Sequence, residues 1–165
     1  MRNKTQKIVL SSLLAALVCV ATMLIKVPSP LKGYVNLGDC VVLLSGWILS
    51  PVYAFLTAGI GSALADIFSG YIVYAPATFL IKGLMALICC LAVKTIKKKP
   101  LAVQITSGII AEIVMVGGYY IFEGFMYGFV ASAVNIPANA VQGVFGIVLG
   151  VILVKIFEKS DIVKK

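Results

Sequence analysis

From Ile8 to Ile25 the chain runs without a single Asp, Glu, Lys or Arg, and comparable apolar stretches recur as far as Phe157. That repetition fixes the solvent. A helix crossing ~30 Å of hydrocarbon needs about 20 mostly apolar residues. Hydrophobic types make up 61% of the 165 residues and charged types 12%, a balance that leaves too little polar surface for a soluble domain. The Ile8–Ile25 run is long enough to span and precedes no small-residue cleavage site, so it reads as a first span and not as a secretory signal. The expected class is an all-α integral membrane protein, a single six-helix membrane domain over residues 1–165.

Six spans are drawn at about 8–25, 39–49, 51–68, 74–94, 101–122 and 135–157. The second is too short to cross as one straight helix, and is expected either to continue into "GWILSP" or to be broken. The bases then fall into three groups: Arg2, Lys4 and Lys7; Lys94, Lys97, Lys98 and Lys99; and Lys155, Lys159, Lys164 and Lys165. Six spans put all three on one side, which the positive-inside rule makes the cytoplasm. Both termini are therefore expected inside. The net charge of +8 is read as this orientation signal, not as a nucleic-acid footprint. The opposite loops, "KVPSPLKGYVNLG", "SGYIVY" and "EGFMYGFVASAV", are rich in Gly, Tyr, Pro and Phe. Such loops suit a cover over a pocket, although any single tyrosine equally suits the interfacial belt.

Polar side chains inside spans are costly and mark function by default. Asp39 opens span two, Asp66 lies late in span three, Lys82 is inside span four and Glu112 is midway along span five. Asn135, Asn139 and Gln142 are spaced i, i+4, i+7 and share a face. Tyr74, Thr78, Lys82 and Met85 share a face of span four; Glu112, Met115, Tyr119 and Glu123 share one of span five. These stripes are expected to converge on one wet pocket below the outer loops, with Lys82 and Glu112 pairing or meeting a ligand. Asn139 and Gln142 read as ligand contacts in preference to interhelical glue. Asp66 reads as glue or a helix cap. Asn36 and Asp39, in "GYVNLGDCVVLLSGW", line or latch the pocket, and Asp39 also suits the start of a helix.

Catalytic constellations are missing. Histidine is absent, the four cysteines have no C-x-x-C spacing, and no Walker A motif occurs. An enzyme, a metal or other cofactor, and self-powered ATP-driven transport are not expected.

The stretches "GYVNLGDCVVLLSGWILSP" and "AGIGSALADIFSGYIVYAPATFLIKGLMAL" resemble the substrate-binding S components of energy-coupling factor (ECF) vitamin transporters, over nearly the whole chain. The nearest branch is the riboflavin-type one that includes proteins for hydroxymethylpyrimidine and vitamin B6. The resemblance implies a multi-pass protein of the prokaryotic plasma membrane. It implies six helices, a small vitamin held near the outer face, and partners in a transmembrane T component with two cytoplasmic ATPase subunits. The family usually docks through A-x-x-x-A in span one. Here Ser12-x-x-x-Ala16 and Ser11-x-x-x-Ala15 stand in that place. The expected substrate contacts are Asn36, Asp39, Tyr74, Lys82, Glu112, Tyr119, Asn139 and Gln142. They suit a small ring bearing hydroxyls and a ring nitrogen, such as pyridoxine or hydroxymethylpyrimidine, ahead of riboflavin. Two other readings stay open: a proton-coupled carrier using Lys82 and Glu112, and a membrane scaffold without ligand.

Overall fold

The computed structural model describes residues 3–29, 34–96 and 100–159. The basic residues Arg2, Lys97, Lys98, Lys99, Lys164 and Lys165 lie outside this set, as do residues 30–33 of the first outer loop. The elements are α1 (Lys4–Leu24), β1 (Lys26–Pro28), β2 (Tyr34–Asn36), α2 (Gly38–Ile48), α3 (Pro51–Phe68), α4 (Ala75–Thr95), α5 (Pro100–Tyr127), the short α6 (Phe129–Ser132) with a 3-10 turn at Ala133–Asn135, and α7 (Ile136–Lys159).

Among the described residues, five helical segments are long and apolar enough to cross a membrane: Lys4–Leu24, Pro51–Phe68, Ala75–Thr95, Pro100–Tyr127 and Phe129–Phe157. The expected second span is not among them. Helix α2 has 11 residues, or roughly 16 Å at 1.5 Å per residue. It takes in Gly46 and Trp47 and stops at Ile48, because Leu49 turns extended and Pro51 begins α3. Its sequence is apolar all round, which is the pattern of a helix with no solvent face. Every residue from Gly38 to Trp47 is buried. The other long helices surround it.

The purely helical expectation is corrected at one point. Lys26↔Asn36, Val27↔Val35 and Pro28↔Tyr34 pair as a two-stranded antiparallel hairpin. A second correction concerns the loop expected from Glu123. Helix α5 continues to Tyr127, and the break falls at Gly128, whose φ of +92° favours glycine.

Small residues set the helix spacing. Thr57 Oγ1 donates to Ser11 O at 3.3 Å, and a Cβ on Gly61 would stand 2.5 Å from Ala15 O. Helices α1 and α3 therefore run side by side in the same direction. A Cβ on Gly46 would stand 2.6 Å from Ala86 O, which brings α2 against α4. Trp47 Nε1 donates to Ser107 Oγ at 3.1 Å and joins α2 to α5. Together with the close approach of Gly150 on α7 to Trp47 on α2, these pairings place Lys4 and Lys7, Lys94, and Lys155 and Lys159 at one end of the bundle, with the hairpin at the other. The flanks carry exposed Leu, Ile, Val and Phe, among them Leu13, Ile113, Val130 and Phe125, as lipid-facing helices require.

Gly46→Ala is expected to lower the melting temperature in detergent by the equivalent of about 1–3 kcal/mol of overpacking. Gly117→Ala, where nothing lies within 4 Å of the new Cβ, should melt at or above the parent. Differential scanning fluorimetry of both variants checks the pair.

Candidate functional site

Below the hairpin lies a small cavity of about 30 Å³, partly open to solvent. Its walls come from every side. The hairpin region gives Tyr34 and Asn36, α3 gives Ser62 and Asp66, and the α3–α4 turn gives Tyr71 and Tyr74. Helix α4 gives Thr78 and Lys82, α5 gives Tyr119 and Glu123, and α7 gives Asn139 and Gln142.

A buried ion pair lies at the cavity's edge. Lys82 Nζ bonds Asp39 Oδ1, with Lys82 2% and Asp39 0% exposed. Gln142 Nε2 donates to Asp39 Oδ2 at 2.5 Å, while Gln142 Oε1 accepts from Asn36 N at 2.8 Å. Asn36 Oδ1 in turn accepts from Gly38 N at 2.8 Å. One continuous chain of bonds thus runs from α4 through α2 and α7 to the hairpin. These bonds define what Asp39 does. It sits in the first turn of α2, where a carboxylate is favoured by the helix dipole, but its oxygens serve Lys82 and Gln142. The backbone of the helix start is held by Asn36. Lys82 Nζ also lies 5.5 Å from the centre of the Tyr119 ring, within cation–π range.

The expected Lys82–Glu112 pairing is corrected, since Lys82 is taken by Asp39. Glu112 is buried beside Asp39, and a Cβ on Gly146 would stand 2.8 Å from Glu112 Oε1 and 2.9 Å from Asp39 Cβ. Neither oxygen of Glu112 has a hydrogen-bond partner, and it does not line the cavity. Of the eight expected contacts, six border the cavity: Asn36, Tyr74, Lys82, Tyr119, Asn139 and Gln142. Asp39 and Glu112 stand behind them.

The mouth is aromatic. Rings of Tyr34 and Tyr71 are 4.8 Å apart, those of Tyr71 and Tyr74 6.2 Å, and those of Tyr74 and Phe122 5.2 Å. Tyr34 Oη donates to Asp66 Oδ1 at 2.5 Å. Burial, reinforced by the Asp66 charge, pushes the Tyr34 phenol well above its ordinary value, so it stays protonated as the donor. Lys26 Nζ donates to Ser69 Oγ at 2.8 Å and adds a second tie from hairpin to α3. On the far wall Glu123 accepts from Asn135 Nδ2 at 2.9 Å and from Tyr74 Oη at 3.3 Å, and Thr78 Oγ1 meets Tyr119 Oη at 3.0 Å. Sequence reasoning sets Asp66 aside as glue and does not single out Tyr34, Ser62 or Tyr71. The i, i+4 spacing of Ser62 and Asp66 is the available signal.

The four expected docking residues divide. Ser11 and Ala15 are half-buried and turn towards α3, whereas Ser12 and Ala16 are exposed on the outer side of α1.

Comparison with known proteins identifies the family. The family model described as "ECF-type riboflavin transporter, S component" matches residues 2–159. The chain belongs to this family. Among solved structures it is similar to the S component of a bacterial ECF transporter, with a TM-score of 0.76 at 26% identity over 96% of this chain and 100% of that one. A Pyrococcus woesei protein described as an uncharacterized protein in gap 3′ region is 34% identical over 135 residues, 81% of this chain and 88% of its own length. The thiamine precursor transporter HmpT of Lactococcus lactis subsp. cremoris is 27% identical over 169 residues, 98% of this chain and 94% of its own length. ECF S components are multi-pass proteins of the prokaryotic plasma membrane and are transporter subunits, not enzymes.

In this S component, Lys82→Met leaves the Asp39 carboxylate buried and unpaired. The ligand-free protein should lose about 3–5 kcal/mol of stability. The double variant Asp39→Asn/Lys82→Met should recover most of that loss, as read from thermal melts of the two proteins side by side.

Proposed function

We propose that this chain captures a small, single-ring, water-soluble vitamin or vitamin precursor of the pyridine or pyrimidine kind, vitamin B6 or hydroxymethylpyrimidine. The single observation that carries the reading is the polar cavity under the hairpin, roofed by tyrosines and floored by Gln142 and Lys82. Its hydroxyl, amide and ammonium groups suit a compact ring with several polar substituents. HmpT, a relative aligned over nearly the whole chain, bears the name of a thiamine precursor transporter, which supports a small ring. The second reading is riboflavin, favoured by the description of the matching family.

The proposed topology has six membrane helices in one membrane domain, α2 included, with both termini cytoplasmic. Lys4, Lys7, Lys94, Lys155 and Lys159 gather at one end and support that orientation. The cavity then opens outward. Asn36, Tyr74, Lys82, Tyr119, Asn139 and Gln142 contact the vitamin, while Asp39 and Glu112 act from behind them. Delivery inward uses a T component and two ATPases, because the chain has no nucleotide-binding motif of its own. The exposed Ser12 and Ala16 form the docking row, since Ser11 and Ala15 are occupied by α3.

Native mass spectrometry of the detergent-purified protein, with release and identification of the bound molecule, tests the substrate. A stoichiometric B6 vitamer or pyrimidine is expected. Riboflavin would replace the proposed ligand. An empty protein that moves solute unaided in liposomes would make it a carrier, in place of a binding subunit. Separately, Ser12→Leu is expected to leave ligand affinity of the isolated protein within about twofold, because exposed changes are usually within ±0.5 kcal/mol. The same variant should depress uptake by the assembled transporter, measured in cells.

A further inference from the structure

Among the described residues, two buried polar atoms on the cavity wall have no hydrogen-bond partner. Ser62 and Asp66 lie one turn apart on α3, 1% and 4% exposed, and both border the cavity. Asp66 Oδ1 is held by Tyr34. Asp66 Oδ2 and Ser62 Oγ have no hydrogen-bond partner. The Thr78 hydroxyl lies within hydrogen-bonding range of the Asp66 carboxyl and also meets that of Tyr119. Buried polar atoms are almost always satisfied, and leaving one unpaired is costly. Among the described residues, Ser11 and Glu112 carry the other buried unpartnered side-chain oxygens, and neither residue borders this cavity.

We infer that Ser62 and Asp66 form a two-point recognition edge for an exocyclic amino group and the ring nitrogen beside it, so that the ligand is an amino-substituted heteroaromatic ring. This rests on the single-ring reading above and narrows it. An ionised carboxylate only accepts, so Oδ2 takes an N–H of the amino group. The serine hydroxyl donates to the neighbouring ring nitrogen. Side chains at i and i+4 are about 5–6 Å apart at Cβ, a spacing that serves a two-atom edge. A ring without the amino group offers Oδ2 no N–H at that edge. Tyr34 orients the carboxylate by holding its other oxygen.

The test is calorimetric titration of the purified, ligand-depleted protein with an amino(hydroxymethyl)pyrimidine, its des-amino analogue, pyridoxine and riboflavin. The amino compound is expected to bind about 10- to 100-fold tighter than the des-amino compound, the range of a hydrogen bond to a charged group. Asp66→Asn keeps an acceptor for Tyr34 and should erase most of that ratio. Tyr34→Phe should weaken both pyrimidines alike. Equal affinity of the unaltered protein for the two pyrimidines, or an equal loss for both in Asp66→Asn, overturns the edge while the single-ring reading stands. Binding of riboflavin with no single-ring compound bound overturns both. The ligand pair on the unaltered protein decides between these outcomes even where a variant fails to fold.

Discussion

The ion pair between Asp39 and Lys82 is the constraint around which this bundle is arranged. Either charge alone in that position would be untenable, since a buried ion without its counter-ion costs several kcal/mol. The pair is tolerable because Gln142 fills the remaining carboxylate oxygen and the Tyr119 ring flanks the ammonium. Satisfying those two charges requires α2, α4 and α7 to meet at one level. That meeting also fixes the cavity, because Lys82 and Gln142 are at once partners of Asp39 and parts of its wall.

The same chain of bonds extends to the hairpin. Strands of three residues have almost no stability of their own. Their position comes from Asn36 bonded to Gln142, Tyr34 bonded to Asp66 and Lys26 bonded to Ser69. The ties to Gln142 and Asp66 lead from the roof to the lining of the cavity, and the tie to Ser69 to the end of α3. The roof is thus coupled to the site through the residues that border it. Glu112 shows a different use of close packing, with its carboxyl set against Gly143 and Gly146.

Most of the helices are legible in the sequence because each is an uninterrupted apolar run. The stripes Tyr74–Thr78–Lys82 and Tyr119–Glu123 are legible from helical spacing, and the structure turns them towards each other through Thr78–Tyr119 and Tyr74–Glu123. What spacing cannot supply is the rotation of one helix relative to another. Spacing therefore offers Lys82 to Glu112, when Asp39 holds it. The hairpin escapes notice because "KVP" and "YVN" are too short to show alternation, and their pairing depends on side chains distant in sequence. The run from Glu123 reads as a loop through its Gly, Tyr and Phe, with the Glu123 charge at its start. Its helix survives because Asn135 and Tyr74 satisfy that charge. Asp66 looks like packing because it lies among small residues in "GSALAD". Its free oxygen is a property of the assembled cavity, not of its neighbours in sequence.

The brevity of α2 has a consequence for the distance a solute must travel. Asp39, Lys82 and Gln142 gather at the hairpin end of a helix only roughly 16 Å long, inside a layer of ~30 Å. On the proposed site and topology, a molecule resting on Gln142 and Lys82 would lie in a polar niche one α2 length, roughly 16 Å, from the far end of that helix. Only the stretch alongside α2 remains, and the residues from Cys40 to Leu44 pack it solid. On the proposed function, a solute held above that plug would meet only buried side chains among the described residues, and passage onward would require the protein itself to move.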